Sequence, residues 1–195
     1  MRVGTYRSPH LVSWCERIQL GERWISPEEL RMDLGDWQSI ARRHDLTPFE
    51  LLTAAAFARF AAERLDLVIL EVGLGGRLDA TTVHPDRRVV GFASIGMDHR
   101  EHLGDTLAAI AAEKAAVLRP GQKAFSALQS PEAAAELAAA AQRQGAELHW
   151  VEPLADVASG GPPIGLRGDF QRRNGAVADR KSTRLNSSHL VISYA

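Results

Sequence analysis

Short apolar runs alternate with longer amphipathic segments along most of this chain. The runs are nearly continuous in Val, Ile, Leu, Phe and Ala, which is typical of strands buried on both faces. They are residues 2–6, 67–72, 88–95, 123–128 and 148–151. Strands that alternate with helices predict an α/β fold with a parallel sheet and right-handed crossovers.

Capping residues mark where the helices between these strands should begin. Ser26-Pro27 and Thr47-Pro48 each place a hydroxyl before a proline, with a glutamate three residues after the hydroxyl. We therefore expect one helix that begins at Ser26 and another over residues 47–64. A third should be capped by Asp105 or Thr106 and run to about Leu118, and a fourth should start at Ser130 and run to about Gln144. Residues 152–168 are rich in Gly and Pro and predict a loop.

The composition is that of an ordinary soluble protein. The 195 residues are 45% hydrophobic and 24% charged, with a net charge of −1. No long basic block is present, so we expect neither nucleic acid nor an anionic membrane as a partner. No apolar stretch is long enough to cross a bilayer. Cys15 is the single cysteine, which excludes an internal disulfide and agrees with a cytoplasmic location.

The candidate chemistry lies at the ends of three predicted strands. A carboxylate at position 71, within Leu, Val and Ile, needs a cation, hydrogen bonds or a proton to offset its burial. Open parallel sheets bind ligands outside the carboxyl ends of their strands, so a metal or phosphate site is expected there. The polar side chains at the three ends are Ser8, His10, Glu71, Asp79, Asp98 and His99.

A hydroxyl, a carboxylate and an imidazole together suit Mg²⁺ only moderately, because Mg²⁺ prefers oxygen ligands. The segment His99-Arg100-Glu101-His102 lacks a cysteine or a third spaced ligand, so zinc is not expected.

Most of these residues also have a purely structural interpretation. Ser8-Pro9 and residues 73–76 could simply form turns. His99 could cap a strand end or lie at the surface, and Lys114 could be solvated or paired with a nearby glutamate. Glu71 is the hardest to explain in this way, because its burial demands a partner.

Several ordered motifs nevertheless occur together between Val3 and about Pro120. They are Tyr6-Arg7-Ser8-Pro9-His10-Leu11 with Glu16-Arg17, Thr47-Pro48-Phe49-Glu50, residues 70–81, residues 94–104, and Glu113-Lys114-Ala115. In this order they resemble the folylpolyglutamate synthase/dihydrofolate synthase family of the Mur ligase superfamily. The resemblance implies a P-loop-NTPase-like parallel sheet flanked by helices. It also implies an ATP-dependent ligase that adds L-glutamate to dihydropteroate or a folate through an acyl phosphate.

The resemblance also implies roles for individual residues. Ser8, Glu71 and His99 would be Mg²⁺ ligands, and His99 would lie at the catalytic centre with Lys114, which is carboxylated in this superfamily. Asn174 would contact ATP at the start of a helix. The residues expected to line the pterin-bearing substrate's site are Thr47, Phe49, Glu50, Leu78, Asp79 and Ala80. The family further implies a monomer.

The resemblance covers a partial central domain over residues 1–178. The chain holds no G-x-x-x-x-G-K-[ST] phosphate loop and no C-terminal ligase domain, so we expect it to be inactive as it stands. Two other interpretations stay open. One is another Mur-type ligase that acts on a peptidoglycan or cyanophycin precursor, and the other is a non-catalytic nucleotide- or folate-binding module.

Residues 179–195 carry a different signal. When residues 179–189 are back-translated into DNA, their codons resemble a common short-read sequencing adapter. The codons of residues 192–195 resemble the continuation of that adapter, and Leu190-Val191 would correspond to a six-base index between the two parts. We predict that native sequence stops near Ala178. On this hypothesis the segment has no selected function and should be poorly ordered.

Overall fold

A mixed sheet runs through the computed structural model, which describes residues 1–84, 87–165, 168–183 and 190–194. Its strands are β1 (Val3–Tyr6), β2 (Ile18–Leu20), β3 (Arg23–Trp24), β4 (Leu67–Glu71), β5 (Arg87–Phe92), β6 (Lys123–Ala127), β7 (Glu147–Val151) and β8 (Leu190–Tyr194). The order across the sheet is β3-β2-β1-β4-β8-β5-β6-β7.

Across the sheet, from β1 through β4, β8, β5 and β6 to β7, all neighbouring strands run parallel. This confirms the predicted α/β fold with a parallel sheet. β2 and β3 instead pair antiparallel at one edge, which the sequence analysis missed. With three and two residues, they are too short to show an alternating pattern. β5 ends at Phe92, so residues 93–95 leave the sheet and approach the site described below.

Helices flank the sheet on both faces. They are α1 (Pro27–Arg43), α2 (Pro48–Ala62), α3 (Arg100–Leu103), α4 (Leu107–Ala115), α5 (Pro131–Gln144) and α6 (Phe170–Thr183). The caps at Ser26, Thr47 and Ser130 are confirmed, and Thr106 rather than Asp105 caps α4. None of the described helices combines the length and the apolar character that crossing a membrane requires.

The core has three parts, each between the sheet and a set of helices. Tyr6 and Leu70 meet α1 and α2, whereas Val90 and Phe92 meet α4 and α5. On the opposite face, Leu67, Val89, Phe125 and the α6 residue Val177 form a third cluster. β4 and β5 therefore carry apolar side chains on both faces of the sheet.

The C-terminal segment contributes to a helix and to the sheet. Residues 179–183 continue α6, and residues 190–194 form β8 between β4 and β5. The predicted poor order of residues 179–195 stays a prediction. The remaining positions, 184–189 and 195, lie outside the described residues. The predicted non-native origin of this segment stays a prediction.

Candidate functional site

A cavity of about 480 Å³ opens where β1, β4 and β5 end. Its walls include Arg7 after β1, Glu71 at the end of β4, and Ser94 after β5. Lys114 of α4 and Asn174 of α6 complete the polar part of this surface. The sheet thus brings together groups that are far apart in the sequence, at the edge where open parallel sheets bind ligands.

Glu71 is tied to the loop that follows β1. The backbone N–H of Ser8 donates a hydrogen bond of 2.9 Å to Oε2 of Glu71. The parallel pairing of Tyr6 with Leu70 places these two positions side by side. Burial raises the pKa of Glu71, while the Ser8 N–H and the charge of Arg7 act in the opposite direction. Among the described residues, Glu71 forms no ion pair within 4 Å, so its charge is offset only in part.

Lys114 faces the same cavity from α4. Burial lowers the pKa of its ammonium group, and the negative charges of Asp98 and Asp79 oppose that shift. A lysine whose ionised form is destabilised in this way is a better nucleophile than an exposed one.

The glycine-rich turn after β4 is organised by Asp79, which is buried. Its Oδ2 accepts from the N–H groups of Gly73 (3.0 Å) and Leu74 (2.9 Å). Its Oδ1 accepts from the N–H (2.9 Å) and the hydroxyl (2.5 Å) of Thr81. Because both oxygens are engaged within the loop, Asp79 fixes the shape of the loop.

Two glycines in this turn allow close packing against the neighbouring helices. A Cβ at Gly73 would lie 2.5 Å from Cζ of Phe49, so the turn lies directly on that ring. A Cβ at Gly76 would lie 2.9 Å from the carbonyl oxygen of Glu113 and 3.1 Å from that of Lys114. The turn therefore packs against both α2 and the part of α4 that carries Lys114.

A hydroxyl relay fixes the first turn of α2 against β1. The hydroxyl of Thr53 donates to the carbonyl oxygen of Phe49 at 2.8 Å, and it lies 2.9 Å from the hydroxyl of Tyr6. Since the Thr53 proton is used in this way, Tyr6 is the donor to Thr53. Burial raises the pKa of Tyr6 to about 12, so the phenol keeps its proton at neutral pH.

The other predicted substrate residues lie at the edge of this region. Thr47 and Glu50 form a capping box, in which Oε2 of Glu50 accepts from the N–H and the hydroxyl of Thr47 at 2.7 Å each. These bonds lower the pKa of Glu50. Leu78 is 85% exposed, and Ala80 is half-buried. Phe49 is the member of the predicted set that packs directly on the glycine-rich turn.

His99 is not among the residues that line the cavity. It is exposed and lies beside two carboxylates, with Nε2 3.7 Å from Oδ2 of Asp98 and Nδ1 3.9 Å from Oε1 of Glu101. The structure thus brings Ser8 and Glu71 together and leaves His99 on the neighbouring loop. In the described part of the chain, no three His, Cys, Asp or Glu side chains are grouped to hold a metal ion.

The sequence analysis did not single out several residues of the site. Arg7 and Ser94 line the cavity beside Glu71 and Lys114. Gln129 braces the exit from β5, because its side chain accepts from the N–H of Ile95 and donates to the carbonyl of Ala93, at 2.8 Å each. A sequence signal was present for Arg7, which directly follows the first predicted strand. Ser94 lay inside the predicted strand 88–95, and no local signal was present for Gln129. Asn174 reaches the cavity from the second turn of α6 rather than from its first residue.

Comparison with known proteins identifies what this arrangement resembles. No family model matches the chain. The mitochondrial folylpolyglutamate synthase of Cricetulus griseus is 37% identical over 187 residues, which is 91% of this chain and 32% of the relative. The dihydrofolate synthase/folylpolyglutamate synthase of Haemophilus influenzae is 43% identical over 119 residues, which is 61% of this chain and 27% of the relative.

Solved structures agree with these relatives. E. coli FolC in complex with DHPP and ADP matches 96% of this chain and 48% of its own, with a TM-score of 0.80 and 31% identity. The bifunctional synthase of Yersinia pestis, complexed with AMPPNP and a Mn ion, matches 91% and 46%, with a TM-score of 0.78 and 32% identity. The chain thus spans about a third of the curated relatives and about half of the solved chains.

Proposed function

We propose that this chain, a homologue of the folylpolyglutamate synthases, is the central segment of an ATP-dependent ligase. The ligase adds L-glutamate to dihydropteroate or a (tetrahydro)folate through an acyl phosphate. The observation that carries the proposal is the meeting of three strand ends and Lys114 around one cavity, in a segment that is similar to folylpolyglutamate and dihydrofolate synthases.

We assign the folate substrate to the surface that α2 and the glycine-rich turn form together after β4. The ring of Phe49 lies against Gly73 and offers a flat apolar surface, which suits a pterin or an aromatic acid. Asp79 holds the turn in place through four hydrogen bonds. The border of the same surface would be formed by Leu78, Ala80, Thr47 and Glu50.

Mg²⁺ agrees with the donor chemistry of this site. Glu71 is a partly buried carboxylate whose pKa is raised by that burial, and the backbone N–H of Ser8 bonds to it, so that the Ser8 hydroxyl belongs to the adjacent residue of the loop. Oxygen donors of this kind favour a hard divalent cation. Ser8 and Glu71 would hold Mg²⁺, which neutralises phosphate charge when it is bound, and His99 would have to approach them from outside the cavity lining to complete the ligand set. The Mn ion in the Yersinia pestis synthase supports a divalent metal in this class of protein.

The chain's own residues would then position the reactants. Arg7 lines the cavity wall, where its positive charge would bind the carboxylate that accepts the phosphoryl group. Asn174 would contact the nucleotide from α6, and Lys114 would act in its carboxylated form. We further propose a cytoplasmic location, on the ground of one buried, free cysteine, and a monomeric state, which the family resemblance implies.

Calorimetric titration of the chain with dihydropteroate tests the proposal. We expect binding that is lost in Phe49→Ala and retained in Trp150→Ala, a change of similar size on the distant strand β7. We expect no ADP release from ATP, because the 195 residues contain no phosphate loop. Binding of a muramoyl peptide in place of dihydropteroate would identify another Mur-type ligase, and binding of neither would contradict the proposal.

A further inference from the structure

A buried arginine joins the end of the glycine-rich turn to the end of α4. Arg87, the first residue of β5, is 2% exposed. Its Nη1 donates to the carbonyl oxygen of Thr82 and, at 2.6 Å, to that of His84. Its Nη2 donates to the carbonyl oxygen of Val117 at 3.1 Å. Thr82 and His84 follow the glycine-rich turn, whereas Val117 follows α4, so one side chain bridges the two elements.

The burial of this cation is costly. Among the residues that the structure describes, no carboxylate forms an ion pair with it, and its Nε has no hydrogen-bond partner. Burial lowers the pKa of Arg87 to about 10, and the positive charge of Arg119 acts in the same direction. An apolar side chain would fill this space without the cost of burying a charge. What the arginine contributes is therefore its set of bonds to two separate elements.

On the side of the turn, Thr82 passes this connection on. Its hydroxyl donates into the turn, where it lies 2.8 Å from the carbonyl oxygen of Asp79 and 3.1 Å from that of Gly76. A Cβ at Gly76 would lie 3.1 Å from the carbonyl oxygen of Lys114, so the turn lies directly on the backbone of that residue. Thr82 thus connects Arg87 with the contact between the turn and α4.

The helix side closes a ring of contacts. The N–H of Val117 donates to the carbonyl oxygen of Lys114 at 3.3 Å. Val117 lies just beyond the carboxyl end of α4, where the carbonyl groups of a helix carry partial negative charge and favour a cation. The contacts therefore run from Arg87 through Thr82 and the turn to Lys114, and return through Val117.

We propose that Arg87 is a positioning residue, which acts through Thr82 and Val117 and does not touch the substrate. It fixes the glycine-rich turn, which borders the folate surface, against the segment that carries Lys114. A planar guanidinium suits this role because it donates in several fixed directions, whereas an ammonium group is a point charge on a flexible stem. The effect on folate binding rests on the proposed function, but the fixing of the turn does not.

Arg87→Lys tests this role, because lysine keeps the charge and the apolar stem and loses the planar fork. Arg119→Lys is the matched control. Arg119 also donates to backbone carbonyls at the end of α4, those of Ala116 at 2.8 Å and Leu118 at 2.9 Å, but its described bonds do not reach the turn. Hydrogen exchange measures the turn amides that Asp79 holds, and calorimetry measures the affinity for dihydropteroate.

We expect the turn amides of Arg87→Lys to exchange at least about tenfold faster than in the wild type, and dihydropteroate to bind about tenfold more weakly. The amides of β6 and β7 should keep their wild-type rates, and Arg119→Lys should match the wild type in both measurements. Unchanged exchange in the turn would overturn the inference, and so would faster exchange with unchanged affinity. Equally faster exchange in β6 and β7, or loss of folding, would also overturn it, because Arg87 would then support the whole sheet.

Thr82→Val tests whether Arg87 acts through the turn, because it removes the hydroxyl that continues the ring of contacts. Arg87→Lys combined with Thr82→Val should speed up exchange in the turn no more than the stronger single substitution does. Effects that add would show that the two residues act independently, and would overturn the inference. A wild type that binds no dihydropteroate would contradict the proposed function, while the exchange measurements would still decide the role of Arg87.

Discussion

The backbone N–H of Ser8 donates to Oε2 of Glu71 at 2.9 Å, across the parallel pair of β1 and β4. This bond connects the loop after the first strand with the only acidic residue of β4. It offsets part of the cost of burying the Glu71 carboxylate, and the raised pKa of that group shows that the cost is not offset in full. The remaining cost is what a bound cation would remove.

The first prediction is that Glu71→Gln stabilises the chain when no divalent metal is present. At neutral pH the substitution removes a partly buried negative charge, so the thermal unfolding midpoint should rise by a few degrees. Added Mg²⁺ should raise the midpoint of the wild type but not of the variant. Glu136→Gln, which alters an exposed pair with Arg143, is the matched control and should keep the response to Mg²⁺. An equal response in Glu71→Gln would rule out Glu71 as a ligand.

The second prediction contrasts two glycines. Gly76→Ala should lower the free energy of unfolding by roughly 1–3 kcal/mol, because its Cβ would meet backbone carbonyls of α4. Gly35→Ala lies in open space within α1 and should raise it by roughly 0.5–1 kcal/mol. Urea denaturation of both variants and of the wild type measures the two changes in the free energy of unfolding. A Gly76→Ala variant as stable as the wild type would mean that the turn does not lie against α4.

Much of the fold could be predicted from local signals in the sequence. Ser26 and Thr47 mark their helices correctly because a capping box is formed by residues three apart. The continuous run that ends in Glu71 marks a buried strand at the correct place. These features depend on neighbours in the sequence, so no tertiary information is needed to recognise them.

The remaining features depend on contacts between distant segments. Gln129 braces the exit from β5 from 34 residues away, and nothing near it in the sequence indicates that role. The insertion of Leu190–Tyr194 into the sheet depends on the edges that β4 and β5 expose. His99 was expected beside Glu71 from the family's motif alone, and its exposure is set by the loop between β5 and α3. The predicted ligand roles of Ser8, Glu71 and His99 stay predictions.

The third prediction concerns the hydroxyl relay between β1 and α2. Thr53→Val should lower the free energy of unfolding by about 1–3 kcal/mol, because the buried hydroxyl of Tyr6 loses its acceptor. Thr53→Ser keeps the hydroxyl and should cost less. Dihydropteroate affinity should fall in the Val variant, because the Phe49 carbonyl is no longer held by Thr53. Chemical denaturation and calorimetry give the two values, and equal stability of the Val and Ser variants would contradict the role of the relay.

The fourth prediction is a pH dependence that arises far from the cavity. Glu29 bonds to Arg23 and caps α1 at Ser26, and these partners lower its pKa to about 2. A carboxylate with a lowered folded-state pKa adds stability above its usual pKa of 4.5, and this contribution is lost as the pH falls towards about 2. Glu29→Gln should therefore be less stable than the wild type at neutral pH, by about 1 kcal/mol for the weakened cap. The difference should disappear in acid, and a difference that is constant with pH would contradict this account.

The fifth prediction concerns the amine of Lys114. Because burial lowers the pKa of this group, more of it is neutral at mildly alkaline pH, and a neutral amine adds CO₂ to give a carbamate and a proton. The chain in ¹³C-bicarbonate should show a carbamate resonance of Lys114 by NMR, apart from that of the N-terminal amine, and Lys114→Met should abolish it. Lys123→Met alters a lysine at the start of β6 and should leave the signal unchanged. A signal that persists in Lys114→Met would assign the reactive amine to another residue and remove the basis for a carboxylated lysine in this cavity.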